Sequence, residues 1–433
     1  MRVGTSPSWK YALVASALVT GACGDDHDHD HDPAPDAGRL DGGAQDGSAF
    51  DGAPDGGMID ASDAAAPDAP VGDGGGADAV TTDATGPDGG TPPARRLLVT
   101  MSDYETGGLG LVQRDGGVVV AAGPAPDQDA IPAWLGGTGV VLDRGLGQIR
   151  WLNVDSLETT AMLDLDPPGS SAPYASNPTA VVAVSPTKAY VVLQARPELV
   201  IVDPSRGTRT GSVDLSMFVR PGDMDGNVDA SDAVLAGDRL YVALGNYWFD
   251  SSFAIRFEGS EIAVVDVTTD SVVDMDTTRR GVQGLPCGNN PWRGLFVVGD
   301  ELWIGATGDS FMRDGAIERR SRRDGMRLGV VLDETTAGGE INGFARISER
   351  RVVVLVDRTL RAFDPVAGWG SASTLADGID GFVARDGVLW AWRRMGDGAG
   401  LRRFDATSGT ETTPHGMPLV VGTLPVYAAA IEP

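Results

Sequence analysis

From Arg96 onward the chain repeats short apolar or alternating runs divided by tight breaks, and the runs have the length of strands rather than helices. The clearest copy reads Asn177-Pro178-Thr179-Ala180-Val181-Val182-Ala183-Val184, a Ser185-Pro186-Thr187-Lys188 turn, then Ala189-Tyr190-Val191-Val192-Leu193. After a short loop it continues as Glu198-Leu199-Val200-Ile201-Val202-Asp203, a Pro204-Ser205-Arg206-Gly207 turn, and Thr208 to Leu215. Four such runs with three breaks predict one antiparallel sheet, and a repeat of roughly forty residues is the mark of a propeller blade. The second-strand phrase returns near Arg96, Gly139, Arg239, Glu301, Arg351 and Val388, which with Ala189 makes seven copies. The third-strand phrase closes on Asp at Asp155, Asp203, Asp266, Asp364 and Asp405. Asp suits a turn because its short carboxylate accepts hydrogen bonds from backbone N–H groups just ahead.

No first strand precedes Arg96, where the chain is rich in Pro and Gly; an unassigned run, Leu424 to Ile431, stands instead at the far end. A ring closed by that C-terminal strand leaves no unpaired junction. The expectation is an all-β, seven-bladed propeller of four-stranded antiparallel blades over residues 95–433, closed by the C-terminal strand.

The Asn-Pro, Ser-Pro, Tyr-Val-Val and Val-Ile-Val-Asp phrase of the blade from Asn177 to Leu215 resembles the YVTN-repeat β-propellers, allied to the quinoprotein-dehydrogenase-like propellers. The resemblance is weaker where Glu318-Arg319-Arg320-Ser321-Arg322-Arg323 replaces an apolar third strand. It implies a seven-bladed scaffold, usually extracytoplasmic and often without enzymatic activity, and it brings no catalytic residues because the shared motif is structural.

Residues 1–22 read as an export signal, with Arg2 and Lys10 ahead of or beside a short apolar run, Tyr11 to Val19. Thr20-Gly21-Ala22-Cys23 resembles a bacterial lipobox, which implies lipidation of Cys23 and, with Gly24 next, an outer-membrane lipoprotein. Residues 23–94 are dominated by Asp, Gly, Ala and Pro, and Asp recurs every five residues, a period that matches neither a helix face nor a strand face. This predicts a disordered acidic tether, whose roughly seventy residues reach about 45 Å as a flexible coil. From Gly24 to Pro93 it holds seventeen Asp and one Arg, so it supplies −16 of the formal −27. The rest is only mildly acidic, and without a basic stripe nucleic-acid binding is disfavoured.

Three of the four histidines, His27, His29 and His31, alternate with Asp28 and Asp30. Imidazole and carboxylate donors at this spacing predict loose chelation of zinc, nickel or copper. A second acidic run, Asp223, Asp225, Asp229 and Asp232 around Gly226, resembles part of a calcium loop, although Pro221 stands where its first ligand belongs. Only His415 remains in the blades, and neither a nucleophile elbow nor a His-rich metal cluster is legible. Cys287 is expected to be an inert thiol in a loop between blades. The chain therefore reads as a binding module more than an enzyme. A lactonase-like or quinoprotein-like propeller with an acidic channel and an envelope metal-binding protein are the alternatives.

Loop lengths point to the working surface. Connections from first to second and third to fourth strands are tight, whereas the long ones fall in the second-to-third and blade-to-blade connections, which emerge on the opposite face. Gly245 to Ser260 is the richest of these, with Tyr247, Trp248, Phe249, Phe253, Arg256 and Phe257, a composition that favours interface anchors. The expected partner is an envelope or extracellular protein, or a small ligand, met by a lipid-anchored monomer.

Overall fold

The computed structural model describes residues 95–433 apart from 124, 167, 170–174, 222–224, 250–254, 258, 293, 309–311 and 414–415; for 248, 249 and 255–257 it describes the backbone alone. Seven antiparallel sheets form a ring, each running from an inner strand outward. In blade 3 the strands are Pro178–Ser185, Lys188–Leu193, Glu198–Asp203 and Thr208–Asp214, as the repeat predicts. Blade 1 takes its inner strand from the C-terminus. Val426–Ile431 pairs antiparallel with Leu97–Ser102, in the register Leu97 to Ile431 and Leu98 to Ala430. The predicted closure is therefore present.

The second strands are apolar on both faces because each blade is packed between two others. In blade 3, Tyr190 and Val192 share a core with Leu240, Val242 and Leu244 of blade 4. The intervening Ala189, Val191 and Leu193 share another with Val140 and Leu142 of blade 2. This is the period-2 alternation of a strand applied to two interfaces at once. Seven such clusters fill the seven junctions, and the two that involve blade 1 contain residues of the C-terminal strand: Val426, Ala429 and Ile431 on one side, Ala430 on the other.

Polar groups stitch the junctions where cores end. Thr179 donates to the Ala230 carbonyl (3.2 Å) and Ser231 to that of Pro291 (3.0 Å), each crossing from one blade to the next. Trp134 Nε1 donates to the Ala430 carbonyl (3.0 Å), tying blade 2 to the closing strand. Glu432, just beyond that strand, accepts from Arg96 (2.6 Å) and Arg114 (2.9 Å).

The charged run in blade 5 is a third strand after all, Ala316–Ser321. Ile317 fills the core, while Arg319 pairs with Glu301 (2.5 Å) and Arg320 with Glu318 (2.9 Å), so the charges neutralise one another. Turn aspartates behave as expected: Asp203, Asp266, Asp364 and Asp405 accept backbone N–H bonds from Ser205, Thr268, Val366 and Ser408. Blade 2 differs, because there Asn153, two residues before Asp155, accepts from the backbone N–H groups of Asp155 and Ser156. In blade 7 the described fourth strand is reduced to isolated bridges, Leu401 with Leu419 and Phe404 with Glu411.

Candidate binding face

The ring has a plain face and a loop face. On the plain face the strands close in tight turns, with Ser185 paired to Lys188, Val298 to Glu301 and Arg385 to Val388. On the other face, blade 4 carries an extra hairpin between its second and third strands, Tyr247–Phe249 paired with Ile255–Phe257. Its register sets Tyr247 opposite Phe257, Trp248 opposite Arg256 and Phe249 opposite Ile255.

Tyr247 is anchored at the foot of this hairpin. Its ring lies 6.5 Å from that of Trp292 at 55°, its hydroxyl accepts from Gln194 of blade 3 (3.1 Å), and its N–H donates to Asp229 (3.1 Å). From Gln194 a hydrogen-bonded belt continues around the channel mouth. Asn177 Nδ2 donates to Gln194 Oε1 (2.6 Å), Asn177 Oδ1 accepts from Arg144 Nε (2.8 Å), and Arg144 pairs with Asp129 (3.1 Å). Asp129 accepts from the Tyr427 hydroxyl of the closing strand. The Arg394 guanidinium lies over both Tyr427 (5.1 Å) and Tyr104 (4.3 Å), the Arg394 backbone N–H donates to Asp380 (2.7 Å), and Asp380 pairs with Arg358 (2.7 Å). Six blades are thus joined by one chain of hydrogen bonds, ion pairs and cation–ring contacts, which holds the bases of the loops in fixed positions.

The belt was not legible from composition, but it has a positional signal. Asn177, Asp229 and Asn290 each precede an inner strand, have positive φ of 46°, 50° and 54°, and lend their carbonyls to Gln194, Gly245 and Thr307. Asn and Asp are the non-glycine residues that tolerate this conformation best. Below the belt, Asp127 and Asp143 are both held above the usual carboxylate range by burial, while Arg150 faces Asp143.

The predicted metal and lipid residues Cys23, His27, Asp28, His29, Asp30 and His31 lie outside the described residues, as do Asp223, Phe253 and His415. Of the acidic loop, Asp225 accepts from the Asn227 N–H (3.1 Å), and Asp229 belongs to the hairpin base. Asp232 sits within the inner strand of blade 4 and accepts from Ala233 (2.8 Å) and from Leu295 of blade 5 (3.1 Å). Burial pushes its pKa up to about 7, against the pull of those two N–H groups. Among the described residues no group of three or more His, Cys, Asp or Glu is placed to share a metal ion. Cys287 follows a short two-residue strand beside blade 4, and burial raises its thiol pKa, which disfavours the reactive thiolate.

A cavity of about 170 Å³ opens in blade 1, lined by Met101, Gly107, Gly108, Val120 and Leu424 among others. Sites for drug-sized ligands run to about 300–1,000 Å³, so this one suits a single side chain at most.

No family model matches the chain, and no curated protein matches it. Among solved structures it is similar to BamB from Moraxella catarrhalis, with 16% identity and a TM-score of 0.42 over 68% of this chain and 81% of that one. It is similar also to apo AztD from Citrobacter koseri, with 13% identity and a TM-score of 0.44 over 78% of this chain and 97% of the other. Hydrazine synthase of Kuenenia stuttgartiensis gives 11% identity and a TM-score of 0.46 over 76% and 98%.

Proposed function

We propose that this chain is a non-enzymatic interaction module of the cell envelope, held by a lipid on Cys23 and an acidic tether, that binds an envelope or extracellular protein through its loop face. The observation that carries the reading is the asymmetry of the ring: tight turns on one face, and on the other a rooted hairpin standing on a hydrogen-bonded belt. A rigid scaffold presenting loops on one side is how binding surfaces are commonly built. The lipobox-like Thr20-Gly21-Ala22-Cys23 supports the anchor, and Cys23→Ala should move the protein from membrane to soluble fractions without changing its melting temperature.

Trp248 is the test of the face. As an interface anchor, its change to Ala should weaken a partner complex by about 2 kcal/mol or more while the ring melts almost normally. A buried aromatic would instead cost about 3–5 kcal/mol of stability. Recovery of envelope proteins by the full-length Trp248→Ala variant, measured beside its melting curve, separates the two. A strongly destabilised variant that still recovers the partner assigns the hairpin to structure and removes it from the binding surface.

A further inference from the structure

Blade 1 ends on an outer edge unlike the others. Its outermost strand is Val118–Val120, which pairs only with Gly107–Val112. The register sets Leu111 opposite Val119, and Gln113 N donates to the Gly117 carbonyl (2.7 Å) while Ala121 N donates to that of Leu109 (3.0 Å). Residues 117, 119 and 121 therefore turn their backbone groups inward, and Val118 and Val120 each turn an N–H and a C=O to the open side. The outer strands of blades 2, 3, 5 and 6, Thr159–Asp164, Thr208–Asp214, Arg327–Asp333 and Ser373–Asp377, each contain Asp or Arg. Charged side chains keep a free edge from pairing. Val118–Val120 has none, and Val118 and Val120 are 36% and 47% exposed.

A second observation lies on the same side of that strand. Val118 stands opposite Val112, a residue of the core shared with blade 7, so the side chains of Val118 and Val120 lie on the face turned to blade 7. The described fourth strand of blade 7 is only a pair of isolated bridges. The cavity of about 170 Å³ opens on this face, with Val120 in its wall. Its floor is free because Gly108 has no side chain: a Cβ there would meet Met101 Cε at 3.2 Å and Leu424 Cδ1 at 3.3 Å. Free backbone groups are complementary to another strand, and a hollow of this size beside Val120 takes one aliphatic side chain.

We infer that the chain's own Val80-Thr81-Thr82 docks on Val118–Val120 as a fifth, antiparallel strand of blade 1, with Val80 beside the cavity. An edge this short is too small for a second copy of the chain, since stable interfaces engage about 20–30 residues a side. The chain ahead of the ring is at hand, because the described residues begin at Arg95, just before the second strand of this same blade. Val80-Thr81-Thr82 is the one run of three β-branched residues between Gly24 and Pro93, where Gly, Pro and Asp otherwise oppose strand formation. A strand antiparallel to Val118–Val120 ends at the plain face, where Arg95 pairs with Asp386 of a tight turn. The gap there is three strand spacings, about 15 Å, which residues 83–94 span with ease. Setting Val80 opposite Val120 and Thr82 opposite Val118 pairs every outward group and puts Val80 on the cavity's face at the cavity's end of the strand. Docked, the chain before Val80 leaves blade 1 at its loop-face end instead of at Arg95.

Amide hydrogen exchange of the full-length protein, read on peptides that cover residues 117–121, tests the inference. The outward amides of Val118 and Val120 should exchange slowly in the parent and about tenfold faster in Val80→Pro and in Thr82→Pro, whose lost N–H groups face the edge. Val80→Asp keeps its N–H but sets a charge at the cavity, and it should speed exchange as well. Thr81→Pro should match the parent, because in this register the Thr81 N–H points away from the edge. All four changes lie outside the ring, so its melting temperature should stay the same in each. Fast exchange of both amides in the parent overturns the inference. Slow exchange that none of the four changes alters also overturns it, and gives the edge to another occupant; dependence on protein concentration would identify that occupant as a second copy. Acceleration by Thr81→Pro equal to that by Thr82→Pro contradicts the pairing and overturns it too.

Discussion

Two buried carboxylates of the ring answer pH in opposite senses. Burial holds Asp232 up to about pKa 7, whereas an unfolded Asp releases its proton near 4. The folded chain therefore keeps a proton that the unfolded chain loses, and this group's contribution falls as pH rises from about 4 to about 7. At about 1.4 kcal/mol per unit, some 4 kcal/mol is the upper bound of that loss. Burial pushes Glu432 upward too, but hydrogen bonds from Arg96 and Arg114 outweigh it and bring it down to about 2. Its stabilisation is complete above the ordinary glutamate range and is lost as pH falls through about 2. Melting curves from pH 4 to 8 should therefore show a component that weakens with rising pH in the parent and disappears in Asp232→Asn. Parallel profiles for the two would contradict the role given to Asp232. The sequence marked Asp232 only as one acid of a metal-like loop, because its neighbour Leu295 lies sixty-three residues away and across a blade junction.

At the level of elements, the strands were readable because each blade repeats one pattern, and a second strand packed on both sides must be apolar throughout. The closing strand was readable for the same reason: Val426 to Ile431 carries an inner-strand pattern with no blade of its own. Removing residues 424–433 takes the inner strand from blade 1 and the Glu432 latch with it, exposes an edge, and should destabilise the ring by several kcal/mol. Unchanged thermal or urea unfolding of the truncated chain would refute the closure. The elements that escaped the pattern are those stabilised by pairing at a distance. Blade 5 tolerates Arg319 and Arg320 in a third strand because Glu301 of the neighbouring strand and Glu318 two residues away pair with them, and the belt joins Tyr427 to Asp129 across 298 residues. Hydrophobic periodicity contains neither fact.

For the whole molecule, seven junction cores make a rigid ring, and its two faces differ in loop length. What composition could show was a mildly acidic propeller, and nothing in it distinguishes one face from the other. Site-specific photo-cross-linking of the full-length chain in its native cells tests the central claim most directly. With the reactive residue at Asp357 or Glu340 on the loop face, discrete adducts with a partner should form, and with it at Asp300 or Asp324 on the plain face they should not. Adducts that form equally from both faces, or from the plain face alone, would contradict the account.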